Sequence, residues 1–99
     1  MLYPYAQLPN EIDVVHSQII KDKNVPGGKK VLVNFEQPVD ADRGFNEARA
    51  ILPTYEWINI EGFSKDQIKF FEKFMRTNAH LIFKYAAEGG MDLANPLSI

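Results

Sequence analysis

Gly44-Phe45-Asn46-Glu47-Ala48-Arg49-Ala50-Ile51-Leu52 decides the fold, because it can be read in two ways. As a helix it puts Phe45, Ala48 and Leu52 on one face, and Glu47, Ala48, Arg49 and Ala50 are adequate helix formers. As a strand it turns Ala48, Ala50 and Leu52 inward and Glu47 and Arg49 outward. A strand here gives an antiparallel α+β sheet, whereas a helix gives a β-α-β unit and a parallel pair. The preceding loop Gln37–Arg43 is short enough for a hairpin connection, which favours the strand.

Upstream of that loop, residues 30–36 are the plainest strand. Val31, Val33 and Phe35 share one face, Leu32, Asn34 and Glu36 share the other, and Pro38 ends the run. Pro26-Gly27-Gly28 before it is a turn: proline presets φ and glycine accepts the positive φ that follows. Lys29 and Lys30 stand beside this turn, but no Gly-Lys-Ser/Thr leads into a helix, so it reads as a connector rather than a phosphate cradle. Residues 10–22 read as an N-terminal helix capped by Asn10, with Glu11 and Asp13 in the first turn and Ile12, Val15 and Ile19 as an apolar stripe. Residues 1–9, with Pro4 and Pro9, read as irregular.

Downstream, residues 55–61 alternate Tyr55, Trp57 and Asn59 against Glu56, Ile58 and Ile60, as a third strand does, and Gly62 breaks it. Ser64-Lys65-Asp66-Gln67 is a capping box. Helical periodicity then runs to about Ala87, with Gly89-Gly90 as the C-terminal stop. Residues 91–99, with Pro96, read as irregular.

The expected product is one domain over residues 1–99. An N-terminal helix and a long C-terminal helix pack on a small, mostly antiparallel sheet of two to four strands. The alternative is an α/β arrangement built on a β-α-β unit. A chain of 99 residues with 45% apolar and 24% charged residues has the composition of a folded domain. Twelve aromatic rings (seven Phe, four Tyr, one Trp) give it large burial per residue. It has no cysteine, so disulfides, thiolate catalysis and zinc knuckles are excluded. Without cysteine, a basic leader or a long apolar run, the chain reads as cytoplasmic and without a membrane segment.

The C-terminal helix has two faces. Ile68, Phe71, Phe74, Met75, Leu81, Ile82 and Tyr85 form an apolar arc with Phe70 at its edge, which must dock on the sheet. Lys65, Lys69, Lys73, Arg76, His80 and Lys84 form a basic stripe opposite, either a solvated outer face or a contact for phosphate, nucleic acid or an acidic protein. A net charge of −2 argues against nucleic acid. Two residues disturb the pattern. Asn78 projects into the apolar arc, so either it finds a core partner or the helix breaks there. Phe83 projects into the basic stripe, where it suits contact with a second subunit.

No catalytic constellation stands out. His16 reads as a residue at the edge of an apolar stripe, and neither it nor His80 has metal-ligand spacing. Asp40-Ala41-Asp42-Arg43-Gly44 resembles the start of a calcium loop, but Ile51 stands where a bidentate glutamate is required. There is no Gly-x-Ser-x-Gly elbow. The best binding candidates are Tyr55 and Trp57 on one strand face, together with Phe83. The leading functional expectation is a small non-catalytic protein-interaction module with a protein partner, or a homodimer, and no cofactor. A nucleic-acid or phosphate binder using the basic stripe is the alternative. A small enzyme with carboxylate or histidine chemistry near the Gln37–Gly44 loop is the third.

Overall fold

A computed structural model describes residues 2–42 and 44–90. The deciding stretch is a strand, and every strand pair is antiparallel. The elements are β1 (Leu2–Leu8), β2 (Ile12–Ser17), β3 (Ile20–Lys21), β4 (Lys29–Pro38), β5 (Phe45–Leu52), β6 (Glu56–Glu61) and α1 (Lys65–Glu88). The sheet order is β1-β2-β4-β5-β6, with β3 paired to the start of β4. This is an α+β architecture: one antiparallel sheet of six strands, wider than expected, followed by one long helix. The β-α-β alternative is excluded, since β5 pairs with β4 along its whole length, from Val31 against Leu52 to Pro38 against Phe45.

The N-terminal helix does not form. Residues 2–17 are a β1–β2 hairpin, so the expected irregular lead is itself a strand. Asn10 is a turn residue instead of a helix cap. Asn10 and Glu11 take left-handed φ values of 68° and 60°, a conformation that asparagine tolerates well. The helical stripe passed over Val14, whereas the actual period is two: Ile12, Val14 and His16 are all buried. Five β-branched residues between positions 12 and 20 favour a pleated surface over a helix. Between β2 and β3 the ladder is interrupted, and Ser17 fills the gap. Its Oγ accepts from the Leu32 amide at 2.9 Å and donates to the Gln18 carbonyl at 2.8 Å.

The helix lies across one face of the sheet. Val14, Val31, Val33, Phe35, Ala48, Ala50 and Leu52 are buried beneath its Phe71, Met75, Ile82 and Ala86. Phe35 and Phe71 stack with ring centroids 4.2 Å apart, and Phe63 meets Phe71 edge-on at 4.9 Å. The capping box forms as read: Ser64 Oγ accepts from the Gln67 amide, and Gln67 Oε1 accepts from the Ser64 amide. At the other end Gly89 is the left-handed cap, and its amide donates to the Tyr85 carbonyl. Before the helix the chain turns at Gly62 with φ +88°, a conformation that favours glycine, and a Cβ there would force the Asn46 side chain aside.

α1 runs unbroken through Asn78. The amide Nδ2 donates to the Phe74 carbonyl at 2.9 Å, and Oδ1 accepts from the Tyr5 hydroxyl at 2.7 Å. A polar group within the apolar arc is thus satisfied from both sides. No helix among the described residues is long and apolar enough to cross a membrane. The expected irregular tail 91–99 lies outside the described residues.

Candidate functional site

Tyr55 and Trp57 are both half-buried, and each is engaged by a residue of α1. Trp57 packs on Phe35 at 6.0 Å, and its Nε1 donates to Glu72 Oε2 at 3.3 Å. Tyr55 sits in the β5–β6 turn with φ 62°, and the Arg76 guanidinium lies 4.4 Å from its ring centroid. Glu72 and Arg76 are one helical turn apart, so the two aromatic residues meet the same edge of α1 through separate contacts. Phe83 is half-buried against the core rather than standing out in the basic stripe, and it makes no ring contact with Tyr55 or Trp57 among the described residues.

The reason that Trp57 turns inward is a bulge. Ala50 pairs with Trp57 and Arg49 pairs with Asn59, which leaves Ile58 without an opposite residue. Cross-strand partners share a face. Trp57 therefore lies on the helix side with Ala50, Ile60 lies there with Ala48, and Asn59 faces away with Arg49. Strict alternation had set Trp57 and Ile60 on opposite faces. What the bulge leaves outside is the apolar pair Ile58 and Ile60, 47% and 45% exposed on the last strand of the sheet.

Beside that pair, Ile60, Phe63 and Ile68 line a groove of about 310 Å³ edged by Lys65 and Lys69. A second groove, about 270 Å³, opens on the other flank of the same helix turns, where Leu8, Pro9 and Ile12 face Phe70 and Phe71. Phe70 is 51% exposed at its mouth. Neither groove is lined by the Gln37–Gly44 loop. That loop is a polar turn, in which Asp40 accepts from the Asp42 amide through its side chain and from the Gly44 amide through its carbonyl.

All six residues of the basic stripe, Lys65, Lys69, Lys73, Arg76, His80 and Lys84, are exposed on the outer side of α1. His16 is not a boundary residue but wholly buried, with Tyr3 and Tyr5 beside it. Its Nδ1 is 2.8 Å from the Ser17 carbonyl, which can only accept, so Nδ1 carries the proton. Among the described residues no group of three His, Asp or Glu side chains converges as a metal site. The chain matches no family model, no curated protein and no solved structure.

The surface that sequence reasoning missed altogether is on the far side of the sheet. The register sets Asp13 opposite Glu36, Glu36 opposite Glu47, and Glu47 opposite Glu61. Four acidic residues from four strands thus form one row across the face that the helix does not cover. A strand-by-strand reading cannot show it, because each strand contributes one member and only the register aligns them. Exposed Ile58, Ile60 and Phe70 were missed for a related reason: a bulge and a half-covered helix edge leave no periodic signal.

Proposed function

We propose that this chain is a non-catalytic protein-interaction module that takes up an extended segment of a partner protein along β6. The observation that carries this reading is the edge of β6, unpaired among the described residues, with Ile58 and Ile60 exposed beside the apolar groove at the start of α1. An edge strand offers unpaired backbone donors and acceptors, and a neighbouring pocket adds side-chain selectivity. Each edge strand carries one bulge, but the opposite edge suits this less well, since β1 carries Pro4, which has no amide hydrogen to offer a partner strand.

Charge specifies the guest. On the helix side it meets Ile60, Lys65 and Lys69, which favour apolar or acidic residues. On the far side it meets Glu56 and Glu61, which share the face of Ile51 and Glu47 and favour basic residues. A partner strand should therefore alternate apolar or acidic with basic positions. Pairing β6 with β6 of a second copy would gather the glutamates of both strands on one face, so a foreign segment fits better than self-pairing.

The test is selection from a random peptide library, followed by binding to Ile60→Lys. Selected peptides with that alternation, bound by wild type and weakened at least about tenfold by a charge on the edge, are the expected result. Selected peptides that bind Ile60→Lys equally well, or none selected at all, reject it.

A further inference from the structure

The row Asp13–Glu36–Glu47–Glu61 has features of an unfinished surface. Like charges directly opposite each other in a sheet are destabilising, and this row contains three such pairs in succession. Little within the described residues relieves them. Gln7 Nε2 donates to Asp13 Oδ1 at 3.1 Å, and Arg49 reaches Glu47 at 3.5 Å. Arg49 is held back on the neighbouring row, because its Nε donates to Asn34 Oδ1 at 2.8 Å. Asn34 is itself 1% exposed, and its Nδ2 has no hydrogen-bond partner among the described residues. Half-buried Val15, Leu32 and Ile51 complete an apolar floor around it on the same uncovered face.

The complement stands on the opposite side of the molecule. The shortest extent is 22 Å, a sheet layer plus a helix layer, so the outer side of α1 and the bare side of the sheet are the two broad faces of a slab. Lys65, Lys69, Lys73 and Arg76 run along the outer side, all exposed. At a rise of 1.5 Å per residue they span about 16 Å. Four carboxylates on adjacent strands, at 4.7–4.9 Å per step, span about 14 Å. Four cations and four anions are therefore nearly commensurate.

We propose that the helix stripe Lys65, Lys69, Lys73 and Arg76 of one copy docks on the carboxylate row Asp13, Glu36, Glu47 and Glu61 of another, so that copies associate head to tail. Sheet-to-sheet or helix-to-helix dimers would set acid on acid or base on base, so only the heterologous contact matches the charges. Such a contact propagates, giving open chains or rings of three or more. It shares Lys65, Lys69 and Glu61 with the β6 edge but uses neither the backbone of that strand nor Ile60, so Ile60→Lys, which should leave this association intact, separates it from the peptide-binding reading above.

Sedimentation velocity of the intact chain, over a wide concentration range at about 20 mM and about 500 mM salt, tests it. At low salt the mean mass should climb above the 11.3 kDa of the monomer as concentration rises, and high salt should weaken association at least about tenfold. Glu36→Gln/Glu47→Gln and Lys69→Gln/Lys73→Gln each remove half of one face and leave the fold intact by circular dichroism. Each alone should stay monomeric. Mixed, they should form a 1:1 complex that cannot grow, since each supplies the face the other lacks. A wild-type monomer at all concentrations overturns the proposal, as does an assembly that ends at a symmetrical dimer, resists salt, or survives in either variant. Binding of polylysine to a wild type that remains monomeric assigns the row to a foreign basic partner, and equally overturns it.

Discussion

Tyr5 shows how one side chain ties the sheet to the helix. It is the extra residue of the β1 bulge, and from there its hydroxyl reaches Asn78 Oδ1 in the middle of the apolar arc. Tyr5→Phe removes the donor and leaves a part-buried acceptor behind, which should cost about 1–2 kcal/mol in urea unfolding. The same substitution changes the response to alkali. Burial disfavours the Tyr5 phenolate, and the neighbouring Tyr85 adds to this, so the folded value lies above the ordinary 10.0. The folded chain then holds a proton that the unfolded chain has released. This contribution is complete below pH 10.0 and is lost as pH rises through the folded value. Wild type should therefore lose stability more steeply than Tyr5→Phe above pH 10, and equal slopes in the two proteins would contradict the burial of this hydroxyl.

Among the elements, α1 is the most legible and the N-terminal hairpin the least. The helix announces both ends, through the Ser64–Gln67 box and Gly89, and its apolar arc is seven residues deep, so local and tertiary preferences agree. Ser64→Ala deletes the serine half of the box and should lower stability by about 1 kcal/mol, while Ser64→Asp should retain most of it; thermal unfolding monitored at 222 nm distinguishes them. β4 was legible through its period of two with branched and aromatic residues inward, whereas β5 fits a helix nearly as well, and only the short loop before it tips the reading to a strand. In residues 10–22 the signals conflict. Acidic residues after Asn10 imitate a helix start, and Ile12, Val15 and Ile19 imitate a stripe, yet Val14 and the buried His16 belong to a two-residue period. The misreading lay in weighing a cap above β-branching. The candidate site was less legible still. The basic stripe follows from helical spacing alone and is where it was expected. The inward turn of Trp57 needs a bulge, and the acidic row needs a register, neither of which any single segment encodes.

For the whole molecule, the open question is why a domain of 99 residues keeps three like-charge pairs on a bare sheet face. Positions free of function drift toward tolerable charge patterns, and a surface that costs stability is retained where binding needs it. The cost can be read position by position. Glu36 has an acidic residue on both sides, Asp13 and Glu47, and no cation at ion-pair distance among the described residues. Glu47 also has two acidic neighbours but is partly relieved by Arg49 at 3.5 Å. Glu61 ends the row and has one. Each opposed pair is worth about 0.2–1 kcal/mol. At micromolar concentration and low salt, Glu36→Gln should therefore stabilise the chain by about 0.5–2 kcal/mol, more than either Glu47→Gln or Glu61→Gln. The gain should shrink as salt screens the row. Urea titrations of the three variants at two salt concentrations give the ranking. If Glu36→Gln is neutral or destabilising at low salt, the carboxylates do not repel across the strands as their register implies, and the row loses its claim to be a surface held open for a partner.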